Sequence, residues 1–307
     1  MTRRLPAWAL LALLSLVLAL GACRKDSPQE AQAPGDPVAA VEGLAKALRD
    51  NDLVRYSRLS LPPELYDRSE ALWNRRVAEA EPVDDADAAE YDKMMARFTA
   101  PDAEAQLNRD LEPKLAKLEA EIAGQWPMMQ ATALIFLNAA IQANTELSDE
   151  EKAHSNEVVA GLMAWAQPSL FTDRARARVA VSALVETADA LALPTLAQAR
   201  ALPMVPAMEK GGIALAGFKK VAKAYDLDID RALDGVQAEL VSANGDSAQV
   251  KVSYPLLDKT VSFEMEMMRR GDGWYSAQSV RDAEAELAEA GEEAAPAQTG
   301  AAADAAG

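Results

Sequence analysis

The sequence predicts a mainly α-helical α+β fold, in which a helical bundle packs on a C-terminal antiparallel meander of three to four strands. Three observations predict this class. Alanine and leucine dominate, while aromatic residues make up only 5% of the 307-residue chain, which favours helix over sheet. Apolar residues recur at three- and four-residue steps up to about residue 235. From Val236 onward they alternate with polar residues, as in half-buried strands.

Proline and capping residues divide the predicted helical domain, residues 37–235, into separate helices. Pro37 stands at a favourable first helical position, and Pro62 and Pro63 separate the first helical stretch from the next. Ser148, with Glu151 three residues later, has the pattern of a capping box. Further helices are predicted from about 86 to 98, from 107 to 143 with breaks or kinks at Pro113 and Pro127, from 148 to 165, and from Thr172 or Asp173 to Pro194.

The stretch 128–143 is apolar on nearly all sides, and only Gln130, Asn138 and Gln142 interrupt it, on one stripe. It could be a membrane span or a buried central helix of the bundle. A span needs about 20 apolar residues. The shorter length and the three amides therefore favour a buried helix.

Residues 236–282 are predicted to form the antiparallel sheet, packed on the helices through one face. Asn244-Gly245 and the Gly-Asp-Gly sequence at 271–273 are typical of tight turns between such strands. The opposite face, with Lys251, Glu264 and Glu266, should meet water. The alternating apolar residues are Val250, Val252, Tyr254, Val261, Phe263, Met265 and Met267.

The N-terminus has the parts of a bacterial secretion signal: two arginines, an apolar run from Leu5 to Leu20, and small residues where a peptidase would cut. Leu20-Gly21-Ala22-Cys23 resembles the lipobox of bacterial lipoproteins. The resemblance implies that residues 1–22 are a signal peptide and that Cys23 is acylated, for example with palmitate, which anchors the protein in the cell envelope. By the same resemblance Arg24 favours the outer membrane, facing the periplasm. A retained transmembrane helix is the alternative, but the run is shorter than a span requires.

Two segments are predicted to lie outside the folded part. Residues 23–36 read as a flexible tether behind the lipidated Cys23. Residues 283–307 are rich in alanine and glutamate, so most of this tail is expected to be disordered, with a helix continuing at first through 283–290.

The charge and the cysteine count exclude several classes of function. The chain has 31 basic and 48 acidic residues, and loss of two arginines with the signal peptide changes its formal charge from −17 to −19. Such a protein should be repelled by nucleic acid and by an anionic membrane leaflet, and phosphate backbones in particular are bound through lysine and arginine. With Cys23 as the only cysteine, no disulfide can form within the chain.

The closing strands resemble those of small secreted lipoproteins of the curved-sheet, SnoaL-like or cystatin-like class. In that class a strand ends in Gly-Asp before an alternating strand, and the last strand opens with Gly-Trp; the counterparts here are residues 244–252 and 270–275. Residues 38–61, with Asn51-Asp52 after the first helix, resemble the start of that class. The match covers about a third of the chain and implies a curved sheet.

No motif in the sequence supplies a catalytic centre or a metal site. Asp226, Asp228 and Asp230 are spaced like calcium ligands, but Arg231 and Gln237 stand where a calcium loop needs glycine and glutamate. These aspartates are therefore interpreted as an acidic helix start, capped by Asp228 or Asp230.

Other candidate sites also lack essential partners. The stretch from Gly212 to Lys219 has the glycine spacing of a phosphate-binding loop without its lysine, so its small residues are expected to allow close helix packing. His154 is the only histidine. The sequence has no Gly-x-Ser-x-Gly motif that would supply a serine nucleophile for it, so His154 is expected to be an exposed helical residue. Three arginines at 174, 176 and 178 should pair with acidic surface residues, and the paired carboxylates are interpreted as solvated: Glu64 with Asp67, and Asp84 with Asp85.

The sequence thus indicates a non-catalytic envelope lipoprotein that binds a protein partner or an apolar ligand, without a cofactor. Its methionine side chains, which are flexible and polarizable, either fill the core or line a groove. They are Met94, Met95, Met128, Met129, Met163, Met204, Met208, Met265, Met267 and Met268. The alternatives are a structural or assembly role at the outer membrane and a hydrolase that uses carboxylates alone.

Overall fold

A computed structural model describes residues 33–122, 124–145 and 147–293. These residues form thirteen helices and one four-stranded antiparallel sheet at the C-terminal end, so the predicted α+β class is confirmed. The predicted signal peptide, Cys23, most of the predicted tether and residues 294–307 of the predicted tail lie outside the described residues.

The elements follow one another with short connections. The helices before the sheet are α1 (Pro37–Arg49), α2 (Leu53–Ser60), α3 (Pro63–Glu79), α4 (Asp85–Phe98), α5 (Ala103–Ile122), α6 (Trp126–Ala143), α7 (Asp149–Trp165), α8 (Pro168–Phe171), α9 (Arg174–Leu191), α10 (Leu196–Arg200), α11 (Met204–Ala224) and α12 (Ile229–Asp234). The sheet comprises β1 (Gln237–Asn244), β2 (Ser247–Leu256), β3 (Lys259–Arg270) and β4 (Gly273–Ser276), and α13 (Ala277–Glu293) follows it.

Helix starts follow the capping signals in the sequence. Asp36 caps α1 by accepting a hydrogen bond from the Ala39 amide, and the Ser148–Glu151 capping box makes both of its bonds. Asp173, rather than Thr172, caps α9. Pro113 lies inside α5, which continues through it, whereas Pro127 stands in the first turn of α6.

The helical layer is centred on α9, which packs against α4, α5 and α11. Glycines let α11 approach its neighbours, as the sequence predicted. A Cβ atom on Gly217 would lie 2.8 Å from Thr187 Cβ in α9, and one on Gly212 would collide with the carbonyl oxygen of Asn51. Only residues without a side chain fit at these two crossings.

A buried lysine joins this helical layer to α1. The side chain of Lys219 in α11 is only 5% exposed, and its Nζ donates to the carbonyl oxygens of Leu48 (2.6 Å) and Arg49 (3.2 Å). These carbonyls belong to the last turn of α1, where that of Leu48 also accepts a hydrogen bond from the Asn51 amide at 3.1 Å. The carboxylate of Asp230, 2.9 Å from Nζ, balances the charge.

The sheet is a meander of order β1-β2-β3-β4. Val250 pairs with Met265 and Val252 with Phe263, so the alternating apolar residues of β2 and β3 share one face, as predicted. Gly245 and Gly271 both have φ of 60° in the tight turns that the sequence indicated. In the turn between β2 and β3, Leu257 has φ of 58°. Because this residue is a leucine rather than a glycine, the sequence did not indicate a positive φ there.

The main core lies between one face of the sheet and α1. Its buried residues are Ala40, Val41, Ala248, Val250, Val252, Met267 and Trp274. The opposite face was predicted to meet water, and Lys251 and Glu264 are exposed there. At the β3–β4 end, however, that face is covered, because Tyr275 packs with Leu65 of α3 and Val280 of α13.

The helix α13 begins at Ala277, inside the stretch assigned to the sheet, and extends through the first residues of the predicted tail. Apolar residues at helical spacing explain this start: Val280 is fully buried, and Ala283 and Ala290 are buried as well. Arg281 in α13 pairs with Glu266 of β3 at 2.9 Å. A helix was predicted for 283–290, and the structure confirms it there.

The prediction that 128–143 is a buried central helix is wrong. α6 forms a hairpin with α7 and has no buried residue, and the exposed fractions of Phe136 and Ile135 are 71% and 69%. Of the three amides, Gln130 contacts the end of α7, where it donates to the carbonyl oxygens of Met163 and Ala166, whereas Gln142 is exposed. The opposite side is left uncovered by the described residues. No helix within the described ranges has the length and apolar character needed to cross a membrane.

Candidate functional site: an apolar cavity between sheet and helices

A cavity of about 710 Å³ lies between the sheet and three helices. Strands β2 and β3 form its floor, α1, α7 and α12 form its walls, and Tyr56 of α2 also lines it. Its lining is mostly apolar and includes Val41, Leu44, Leu162, Leu233, Val252 and Phe263. This volume is within the range of small-molecule sites in proteins.

The periodicities that build the fold also direct these side chains into one space. On α1, Val41, Leu44 and Leu48 recur at three- and four-residue steps, so all three reach the cavity. On β2 and β3 the two-residue period places Val252 and Met265 on the face toward the helices. The floor and the first wall therefore follow directly from local sequence patterns.

The third wall depends on a capped turn of helix. Asp228 caps α12 by accepting a hydrogen bond at 3.0 Å from the Arg231 amide. This places Ile229 and Leu233 of α12 beside the strands. The predicted capping role of Asp228 is confirmed.

Three aromatic side chains in the lining carry a polar group, and those of Trp165 and Tyr254 already have hydrogen-bond partners. Trp165 Nε1 donates to the carbonyl oxygen of Tyr225 at 2.7 Å, and Tyr254 Oη lies 3.3 Å from His154 Nε2. Burial raises the pKa of the Tyr254 hydroxyl, so this group is neutral at physiological pH. The Tyr56 hydroxyl has no hydrogen-bond partner among the described residues.

The prediction that His154 is an exposed residue is wrong. Its ring is half-buried and packs on the sheet, with its centroid 4.9 Å from that of Phe263 and 5.9 Å from that of Tyr254. The cause is the packing of α7 on β3, which brings residues about a hundred positions apart together. His154 thus supports two aromatic side chains that line the cavity.

Three charged residues also line the cavity, and two of them are neutralised by neighbours. Asp226 lies 2.6 Å from Arg176, and Asp228 lies 2.8 Å from Lys223. The hydrogen bond from Lys223 lowers the pKa of Asp228, and the backbone N–H of Arg231 lowers it further. The third residue, Arg231, makes no ion pair with any residue that the structure describes.

The three aspartates with calcium-like spacing, which the sequence excludes as a metal site, pair with different partners. Asp226 pairs with Arg176, Asp228 with Lys223, and Asp230 with Lys219. Within the described ranges, no group of three histidine, cysteine or acidic side chains is close enough to hold a metal ion.

Other candidate residues take part in helix packing, ion pairs or helix capping. The stretch 212–219 lies inside α11. Arg174 pairs with Glu112 (3.2 Å) and Glu119 (2.6 Å), and Arg176 pairs with Asp226, which confirms the predicted pairing with acidic residues for these two. For Arg178 the prediction is wrong, because this exposed residue makes no ion pair with any residue that the structure describes. Asp84 caps α4 through its side chain.

The methionines do not converge on one groove. Among the described methionines only Met265 lines the cavity; Met267 is fully buried in the main core, and Met94 and Met128 are exposed. The space is lined instead by aliphatic and aromatic residues from segments that are distant in sequence. No single residue type signals it.

Asp228, at the cavity, is held in its charged form by its neighbours. General acid catalysis by a carboxyl group needs a raised pKa, whereas the pKa of Asp228 is lowered. Comparison with known proteins found no matching family model, no matching curated protein and no matching solved structure.

Proposed function

We propose that this protein is a non-catalytic envelope lipoprotein that binds an apolar ligand in the cavity between the sheet and α1, α7 and α12. The observation that carries the proposal is the 710 Å³ apolar space itself. Interiors of folded proteins are normally close-packed, and a space of this size lined by apolar side chains favours occupation by an apolar molecule.

The location is part of the same proposal and is supported by the sequence around Cys23. Acylation of this residue would hold the protein at the envelope, and the outer membrane facing the periplasm is the proposed site. More than one acyl chain is needed for stable anchoring. Cys23→Ser should abolish incorporation of an acyl label; a labelled, correctly processed Cys23→Ser protein would contradict the proposal.

The ligand site can be tested with an apolar fluorescent probe and a variant that fills the cavity. Ala232 on α12 lines the space, so Ala232→Phe should occupy part of it. N-phenyl-1-naphthylamine should bind the chain from residue 24 onward, which contains every described residue, and its emission should increase. Ala232→Phe should weaken binding at least tenfold, since a bulky group then competes with the probe.

Two control variants distinguish probe bound in the cavity from probe bound at the protein surface. Ala71 is exposed on α3, so Ala71→Phe adds the same side chain away from the cavity and should leave binding unchanged. Phe136→Gln removes the most exposed apolar side chain of α6 and should also leave it unchanged. Loss of binding in Phe136→Gln, with full binding in Ala232→Phe, would assign the probe to α6 and contradict the proposal.

A protein partner is the second candidate, and the uncovered side of α6 is the observation that favours it. This 18-residue helix has no charged residue, and Met128, Ile135 and Phe136 are each at least 67% exposed. Exposed apolar patches on soluble domains commonly mark contact sites. A photo-crosslinking residue at position 136 in the native envelope should capture one partner; capture of abundant envelope proteins alone would count against this candidate.

A further inference from the structure

We propose that the ligand is an anionic amphiphile, whose apolar chain occupies the cavity and whose head group pairs with Arg231. This inference rests on the proposed function and adds the chemistry of the head group. It begins from an imbalance at the cavity, where one cation has no partner among the described residues.

The local charges identify Arg231 as the available group. The two acidic residues of the lining are each held within 2.8 Å of a basic side chain, Asp226 by Arg176 and Asp228 by Lys223. Their charges are therefore largely balanced before any ligand arrives. Arg231 is exposed while it lines the cavity, which places it at the opening.

The other polar groups of the lining are less available to bind a head group. Trp165 and Tyr254 already have hydrogen-bond partners, so only Arg231 and the Tyr56 hydroxyl remain open. A guanidinium is always charged and presents a planar fork of donors that matches a carboxylate or a phosphate. An apolar interior with one such cation at its opening suits a molecule with a long chain and an anionic end.

The negative charge of the whole chain does not oppose this contact strongly. The formal charge of −17 slows the approach of an anion. At physiological salt, however, charges further away than about 8 Å are largely screened. A head group in contact with Arg231 is affected mainly by that residue and by the two neighbouring ion pairs.

The test compares ligands that share a chain and differ in the head group. Laurate and 1-dodecanol have the same number of carbon atoms, and 1-lauroyl-lysophosphatidylglycerol carries the anion as a phosphate diester. Affinities are measured by displacement of N-phenyl-1-naphthylamine from the chain starting at residue 24. A charge-assisted pair at a partly exposed site should make laurate bind about tenfold more tightly than dodecanol.

Three variants assign that preference to Arg231. Arg231→Gln should abolish it by weakening laurate alone, and Arg231→Glu should make dodecanol the tighter ligand. Arg68→Gln, at an exposed arginine of α3 without an ion pair among the described residues, should change neither affinity. Unchanged dodecanol binding in all variants would show that the cavity stays intact.

The outcomes separate this inference from the proposed function. Equal affinities for laurate and dodecanol, or a preference that survives Arg231→Gln, overturn the anionic head group and leave the apolar site standing. Failure of both ligands to displace the probe contradicts both proposals. If the lysophospholipid binds more tightly than laurate, the anion is a lipid head group; the reverse order identifies a free fatty acid.

Discussion

Replacement of Gly217 by alanine tests the packing of α11 on α9, on which the helical layer depends. A Cβ atom there would lie 2.8 Å from Thr187 Cβ, and closer to the Oγ1 and Cγ2 atoms of the same residue. Thr187 cannot turn aside easily, because it is β-branched and its Oγ1 donates to the Ala183 carbonyl oxygen at 2.6 Å. The two helices must therefore separate to admit the methyl group.

The expected magnitude combines two opposing effects. Alanine improves helix propensity over glycine by about 1 kcal/mol, while overpacking a close contact costs about 1–3 kcal/mol. Because both γ atoms of Thr187 collide, we take the upper part of that range, which leaves Gly217→Ala less stable by roughly 2 kcal/mol. Urea unfolding followed by far-ultraviolet circular dichroism measures this difference.

A matched glycine and a second-site change make the test specific. Gly161 also lies inside a helix, α7, but the nearest atom to its added Cβ is Leu256 Cδ2 at 3.7 Å, an ordinary contact. Gly161→Ala should therefore stabilise the protein by about 0.5–1 kcal/mol. Thr187→Ala should restore part of the stability lost in Gly217→Ala. If Gly217→Ala is as stable as Gly161→Ala, the close crossing is refuted.

Three further predictions concern the core, the buried lysine and acid stability. Met267→Ala should lower the free energy of unfolding by about 2–5 kcal/mol, because Met267 is fully buried; a smaller loss in urea unfolding would contradict its core position. Lys219→Met should cost about 3 kcal/mol by leaving the α1 carbonyls without this donor and Asp230 with the more distant Arg49, at 3.5 Å; an unchanged thermal midpoint would refute that role. The pKa of Asp228 is lowered in the folded state, so its stabilisation is present above the unfolded value of about 3.9 and is lost as the pH falls through the folded value. Asp228→Asn should therefore flatten the acid side of the stability profile between about pH 5 and pH 2, measured by chemical denaturation, and an unchanged slope would contradict the assignment.

Local signals in the sequence predicted most of the fold. Helical periodicity with proline and capping residues located α1, α7 and α9, and two-residue alternation with glycine turns located the sheet. These features depend on neighbours within a few residues, which is why one sequence suffices to identify them. The helix α13 was only partly predicted, since Ala277 and Val280 follow the last strand without a break.

Properties that depend on distant residues were not predictable in the same way. An apolar helix such as α6 needs a covering element to be buried, and periodicity does not show whether one exists. His154 was predicted to be exposed because Phe263, its packing partner, is over a hundred residues away. The cavity likewise combines side chains from α1, α7, α12 and the strands, and no local pattern brings Leu162 and Ile229 together.

Uptake of an apolar chain into the space between the sheet and α1, α7 and α12 is the central claim. Methyl-labelled protein titrated with laurate and followed by nuclear magnetic resonance tests this most directly. We predict shifts at the methyl groups of Val41, Leu162 and Val252, which line the cavity, and none at Val280, which is buried with Leu65 and Tyr275 away from it. Shifts confined to Ile135 and Leu137 on α6, with the cavity methyl groups unmoved, would contradict it.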